Sequence, residues 1–179
     1  MLVLKPLQKV KFICGFIYSN KNFYQKAKKL MGAKFGRIDF ESQVINFNLT
    51  NYYTEEMGKP LFRRFVSFYK LRNSNSEEIT KIKLFCMKVE KILSLDNKRQ
   101  INIDPGYLNL AKLILLTTKD FSHRIHLKKG IYAEVTLYYA KKKFNDLIWT
   151  YPDYRTNEYK DIFLKIRDIY RKQIKVTSL

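Results

Sequence analysis

The sequence predicts an α+β fold: a ferredoxin-like βαββαβ antiparallel sheet core with a C-terminal hairpin extension and a final helix. Three observations carry this. The hydrophobic period switches between two and 3.6 in the order strand, helix, strand, strand, helix, strand over the first hundred residues. The chain has 179 residues, the size of one domain, and shows no internal repeat and no linker, so 1–179 reads as a single α+β domain. It is 46% hydrophobic with only six Gly and four Pro, which excludes a disordered or low-complexity chain.

The elements follow in order. Residues 10–18 form an apolar run closed by Ser19-Asn20 and read as a buried strand. From Asn22 the spacing becomes helical, with Phe23, Ala27, Leu30 and Met31 on one face and Gly36 or Gly32 as the stop. Residues 38–47 alternate as a strand, and 48–58 are Asn/Thr-rich and read as a long loop. Residues 61–71 form a Phe-rich strand. Ser76 is expected to cap a helix whose first turn carries Glu77 and Glu78, where the macrodipole favours acids. Its buried seam is Ile79, Ile82, Cys86, Val89 and Leu93. Residues 101–103 start a strand that the turn Asp104-Pro105-Gly106 breaks. Residues 110–118 suit either a short helix capped by Asn109 or a strand. Residues 123–127 and 131–139 read as a hairpin across Lys128-Lys129-Gly130, 144–149 is a weaker strand, and 156–174 is an amphipathic helix.

Charge is the conspicuous bulk property: 35 Lys+Arg against 16 Asp+Glu, a formal +19. Such a balance points to an anionic partner, whether nucleic acid, an anionic small molecule such as a nucleotide, or an acidic membrane surface, and does not say which. Lysine supplies 26 of the 35 basic residues, the signature of an AT-rich coding sequence, whereas phosphate binders concentrate arginine for its planar fork. Composition therefore competes with function as the source of the charge. Cys14 and Cys86 sit in apolar runs and read as buried free thiols of a reducing cytoplasm. No apolar stretch approaches a membrane span, and the start of the chain shows no signal-peptide pattern, so a cytoplasmic location is expected.

The hairpin is the most informative segment. With its three-residue loop, Leu127 faces Ile131 and Arg124 faces Glu134. Strand alternation then gathers Arg124, His126, Tyr132, Glu134, Thr136 and Tyr138 on a polar face, and puts Ile125, Leu127, Ile131, Ala133, Val135 and Leu137 on a core face. His123 and His126 are three apart and point to opposite faces, so no metal site is expected there. As a base, His123 would need Asp104 or Asp120 as its partner. There is no Walker loop and no Gly-x-Ser-x-Gly elbow. Phe65-Val66-Ser67-Phe68 matches the end of an RNA-recognition strand motif, but the upstream glycine and stacking aromatic are missing, so a Phe-rich core strand explains it better.

Several stretches taken together resemble a bacterial family, domain-of-unknown-function family 4416. They are Gly15-Phe-Ile-Tyr-Ser19, Phe35-Gly-Arg-Ile-Asp39, Thr50-Asn-Tyr-Tyr-Thr-Glu-Glu-Met-Gly58 and Arg63-Arg-Phe-Val-Ser-Phe68. The resemblance continues through Asn102-Ile-Asp-Pro-Gly-Tyr-Leu108, Thr117-Thr-Lys-Asp-Phe-Ser-His-Arg124, Gly130-Ile-Tyr-Ala-Glu-Val-Thr-Leu137 and Trp149-Thr-Tyr-Pro-Asp-Tyr-Arg155. It implies a one-domain protein. Some members carry a GTP-binding label, which the missing Walker loop does not support. The resemblance also singles out the polar residues in or beside its motifs. His123, Asp104 and Glu134 are the expected catalytic set, and Lys112, Lys119, Arg124, Tyr154 and Arg155 the expected ligand-binding set.

The expectation is therefore a protein that binds a phosphate-bearing, nucleotide-like ligand at a basic hairpin-centred site, with phosphoester chemistry as its catalytic extension. Cofactors are left unknown. The alternatives are non-specific RNA or DNA binding through the lysine-rich helix faces, and a non-catalytic partner-binding protein.

Overall fold

A computed structural model describes residues 7–50 and 52–176. Along the chain these form β1 (Lys11–Tyr18), α1 (Lys21–Phe35), β2 (Ile38–Glu41), β3 (Ile45–Asn46), α2 (Thr54–Met57), β4 (Phe62–Phe68), α3 (Ser76–Ile92) and β5 (Ile101–Leu108). Then come β6 (Lys112–Thr117), β7 (Ile125–Lys128), β8 (Ile131–Ala140), β9 (Lys143–Asp146), a 3-10 turn at Asp153–Arg155, and α4 (Asn157–Val176).

The expected ferredoxin-like core with an appended hairpin is corrected by the sheet. All nine strands belong to one antiparallel sheet in the order β2-β4-β1-β5-β6-β8-β7, with β3 beside β4 and β9 beside β8. The stretch read as a turn at 104–106 is continuous strand, paired along its length with β1, where Pro105 stands opposite Cys14. The ambiguous stretch at 110–118 supplies β6, which joins β5 to β8 and makes the hairpin part of the same sheet.

Helices cover both faces. Alternate residues of β1 show the division: Phe12, Cys14, Phe16 and Tyr18 pack against α1 and α3, while Ile13 packs with Phe65 and Leu115 under Tyr159, Ile162, Phe163 and Ile166 of α4. A strand covered on both sides reads as an unbroken apolar run, which is why all eight residues of β1 are buried. The caps are side-chain amides. Asn20 accepts the Asn22 N–H, and Asn75, not the expected Ser76, accepts the Glu78 N–H, each at 2.8 Å. Gly36 ends α1 at φ +94°, a conformation that favours glycine.

The hairpin keeps the expected register at Ile125–Ala133 and His126–Tyr132, then shifts so that Lys128 pairs with Ile131. Its turn is therefore two residues, Lys129 and Gly130, both at positive φ. Its two faces are covered in a way that corrects the sequence reading. Glu134 and Thr136, expected on the open polar face, are buried, and Ile125, expected in the core, is 72% exposed. The cause is the segment 147–151, which folds over the polar face: the Trp149 indole N–H donates to the Val135 carbonyl at 2.8 Å, and the Thr150 hydroxyl to the Thr136 carbonyl at 2.7 Å.

Candidate functional site

A cleft opens where the sheet splits. β5 and β6 pair only at Gly106–Leu115, Tyr107–Ile114 and Leu108–Leu113. Beyond that, residues 101–105 stay with β1 while β6 follows β8 as far as Thr117–Tyr132. Two residues of β5 set the split. A Cβ on Gly106 would lie 2.3 Å from the Ile114 carbonyl oxygen, so only glycine lets the strands touch there. One residue on stands Pro105. The Ile103 N–H is turned away from β1, and backbone groups repeat direction every second residue, so the Pro105 nitrogen faces the same way and has no hydrogen to give β6. The opening encloses about 720 Å³, within the usual span of small-molecule sites.

A chain of hydrogen bonds crosses its floor. Glu56 holds Arg99 in a two-pronged contact, Nη2 to Oε1 at 2.8 Å and Nε to Oε2 at 3.1 Å. Arg99 donates to Asn102 Oδ1 at 2.9 Å, and Asn102 donates to Asp104 Oδ1 at 2.8 Å. Arg63 then donates to Asp104 Oδ2 at 2.7 Å and to the Tyr154 hydroxyl at 2.6 Å. The Arg63 guanidinium is 1% exposed and ringed by Phe47, Phe65, Tyr154 and Tyr159, with Phe65 nearest at 4.8 Å from its centroid. Such a buried cation is tolerable only because it is both paired and caged. Burial pushes the Tyr154 hydroxyl well above its ordinary range, so it stays protonated beside the arginine.

A second cluster stands on β8. Glu134 Oε2 accepts from Arg124 Nε at 2.7 Å, and His123 Nε2 lies 3.0 Å from the same oxygen. Two further Arg124 donors go to the Lys119 carbonyl at 3.1 Å (Nη1) and the Tyr151 hydroxyl at 2.5 Å (Nη2). Residues 122–123 form a turn before β7, so His123 escapes strand alternation and reaches Glu134, not Asp104 or Asp120. Its ring stacks on Trp149 at 5.1 Å and 9°. Glu134 Oε1 is buried and has no hydrogen-bond partner among the described residues.

The charges facing the opening sort into two kinds. Every arginine of the two clusters is tied to a carboxylate: Arg63 to Asp104, Arg99 to Glu56, Arg124 to Glu134. Lys83 from α3 and Lys119 after β6 line the cleft with no carboxylate within ion-pair distance among the described residues; Lys119 sits over the Tyr52 ring at 4.9 Å. Two further acids also line it. Burial raises the Glu90 carboxyl to about 7, while its Oε1 accepts the Ile103 N–H at 2.6 Å. Burial likewise raises the Asp153 carboxyl. Glu90 is thereby biased toward the neutral form, which reduces the negative charge set beside the lysines.

Of the residues the sequence singled out, Asp104, Lys119, Glu134 and Tyr154 line the cleft. His123 and Arg124 stand behind Glu134 and position it. Arg155 lies apart, clamping the Thr150 and Ile148 carbonyls at 2.7 and 2.9 Å, and Lys112 is exposed at the far end of β6. Arg63, Lys83, Glu90, Arg99 and Tyr53 were not singled out. Lys83, Met87 and Glu90 follow one another at spacings of four and three, a stripe beside the α3 seam, and that spacing was a readable signal. Among the described residues no three His, Cys, Asp or Glu side chains gather to hold a metal ion.

No curated protein and no solved structure matches the chain. A family model described as domain of unknown function (DUF4416) matches residues 8–170.

Proposed function

The chain belongs to the DUF4416 family, and we propose from its cleft that the protein binds a phosphate-bearing, nucleotide-like small molecule. One observation carries the reading: among the described residues the two cleft lysines have no carboxylate partner, while each neighbouring arginine is already neutralised. Lysine acts on phosphate as a point charge, and the walls that carry Lys83 and Lys119 belong to different elements, so an anion between them is held from two directions. Tyr52, Tyr53 and Tyr151 supply flat, amphipathic walls for the rest of the ligand. Arg124, expected on phosphate, has each of its three nitrogens bonded within the protein and serves to fix Glu134 and Tyr151.

The test is thermal denaturation with nucleoside mono- and diphosphates and sugar phosphates at millimolar concentration. A ligand at a hundredfold its Kd adds about 2.7 kcal/mol of stability, which for a chain of this size is a rise of roughly 5–10 °C. The Lys83→Ala/Lys119→Ala double variant should lose that rise while keeping its unliganded midpoint. The absence of any rise across the panel refutes the proposal.

A further inference from the structure

Glu90 is out of place in an anion site. It lines the cleft with Lys83 and Lys119, yet it is an acid, and its Oε1 is fixed on the backbone N–H of Ile103 at 2.6 Å. That bond bridges α3 to the strand edge exposed by the split, so the carboxyl cannot swing clear without stripping a buried donor of its partner. The charged groups facing it are Lys83 from its own helix, Arg99 from the segment before β5, and Asp104 from β5. Lys119 completes the lining from the segment after β6. Arg99 is committed to Glu56 and Asp104 to Arg63, and no ion pair joins Glu90 to a lysine among the described residues. An anion entering this cleft therefore meets a carboxyl group that has no cation of its own and cannot retreat.

We propose that anion binding in the cleft is coupled to proton uptake by Glu90: the site fills when that carboxyl is neutral and empties when it ionises. The inference rests on the phosphate-binding reading above and adds its regulation. Neutral, Glu90 keeps its acceptor oxygen on Ile103 and offers a hydroxyl donor to the ligand. Ionised, it sets a negative charge against the ligand's own and draws on the field of Lys83. The crossover falls near neutrality, where burial has raised the carboxyl to about 7.

Sulfate is the probe that tests this, because its charge is constant between pH 6 and 8.5 whereas phosphate itself titrates there. Sulfate affinity is read by titration calorimetry or ligand-induced chemical shifts on the full chain. In the wild type it should weaken roughly 30-fold from pH 6 to 8.5, about tenfold per unit above the carboxyl's midpoint. Glu90→Gln keeps an oxygen for the Ile103 N–H and cannot ionise. It should bind sulfate with one affinity across the range, equal to that of the wild type at pH 6. Wild-type affinity that is flat with pH, or a slope that survives in Glu90→Gln, overturns the coupling and leaves the anion site standing. No sulfate binding at pH 6, in a protein whose folding is confirmed by its melting transition, overturns the anion site and the coupling with it.

Discussion

Gly15→Ala is the sharpest probe of how this cleft is built. Gly15 lies on the β1 surface beneath the Arg63 guanidinium, opposite Phe65 on β4 and Asp104 on β5. A Cβ there would stand 2.6 Å from Arg63 Nη2, 2.9 Å from Phe65 Cε1 and 3.0 Å from Arg63 Cζ. Ordinary contact begins near 3.4 Å, so the guanidinium must retreat by about 0.8 Å. It has little room, being ringed by four aromatic side chains and bonded to Asp104 and Tyr154. Overpacking costs about 1–3 kcal/mol. Weakening a buried charged hydrogen bond costs about 1.5–3 kcal/mol. A destabilisation of about 3 kcal/mol is expected, or roughly 6–12 °C in the melting midpoint. The assay is thermal and urea denaturation of Gly15→Ala, Arg63→Leu and the double variant. Removing the guanidinium leaves only the Phe65 contact, so the alanine should then cost about 1 kcal/mol, a coupling near 2 kcal/mol. A Gly15→Ala protein within about 0.5 kcal/mol of wild type, or the same cost in both backgrounds, refutes the account of Arg63 as an immobile part of the cleft.

Two further outcomes follow from the split in the sheet. Gly106→Ala drives a Cβ against a backbone carbonyl that cannot rotate away, so it should destabilise more than Gly15→Ala and lower ligand-induced stabilisation as well; equal melting midpoints for the two variants would contradict this. Glu90 makes stability depend on pH with a definite sign. Its folded-state carboxyl is raised from 4.5 to about 7, so its contribution is fully present below about pH 4.5 and is lost as pH rises through 7. The loss is at most about 3 kcal/mol, and Glu90→Gln should therefore stabilise the protein at pH 8 and not at pH 4.5. A stability difference that is the same at both pH values would count against it.

How much of this was legible depends on whether the cause is local. The buried run of β1, the α1 face closed by Gly36 and the α3 seam all follow from period and capping, which a sequence displays directly. Asp104-Pro105-Gly106 misled because the same chemistry that makes turns also ends ladders. Pro105 withholds a donor and Gly106 permits a close approach, and only the neighbouring strands decide which use applies. The hairpin alternation holds only as far as Val135: a register shift between Leu113 and Ile114 turns Leu137 onto the face of Glu134, opposite Ala133, and which face is covered depends on the segment 147–151, which is remote in sequence from β7. Asp104, Glu134, Lys119 and Tyr154, which line the cleft, stand in distinctive motifs that a sequence displays directly. Arg63 was passed over because a basic residue in a Phe-rich strand reads as an interruption; its cage is assembled from β3's flank, β4, the 3-10 turn and α4. Glu90 was passed over because a single acid beside a helical seam looks like ordinary surface, and its character comes from burial against β5.

The net charge of +19 is a poor guide to what the cleft attracts. Long-range potential from lysines on outer helix faces is screened within about 8–10 Å at physiological salt, and the cleft is governed by what lies inside it. There the arginines, the strongest phosphate ligands by geometry, are spent on carboxylates and hold the walls in position. The surplus comes instead from two lysines beside an acid, Glu90, that burial biases toward neutrality. An electropositive site made by neutralising acids differs from one made by adding bases. Its potential can be switched by a single proton, and substitutions on the lysine-rich helix faces leave it nearly unchanged.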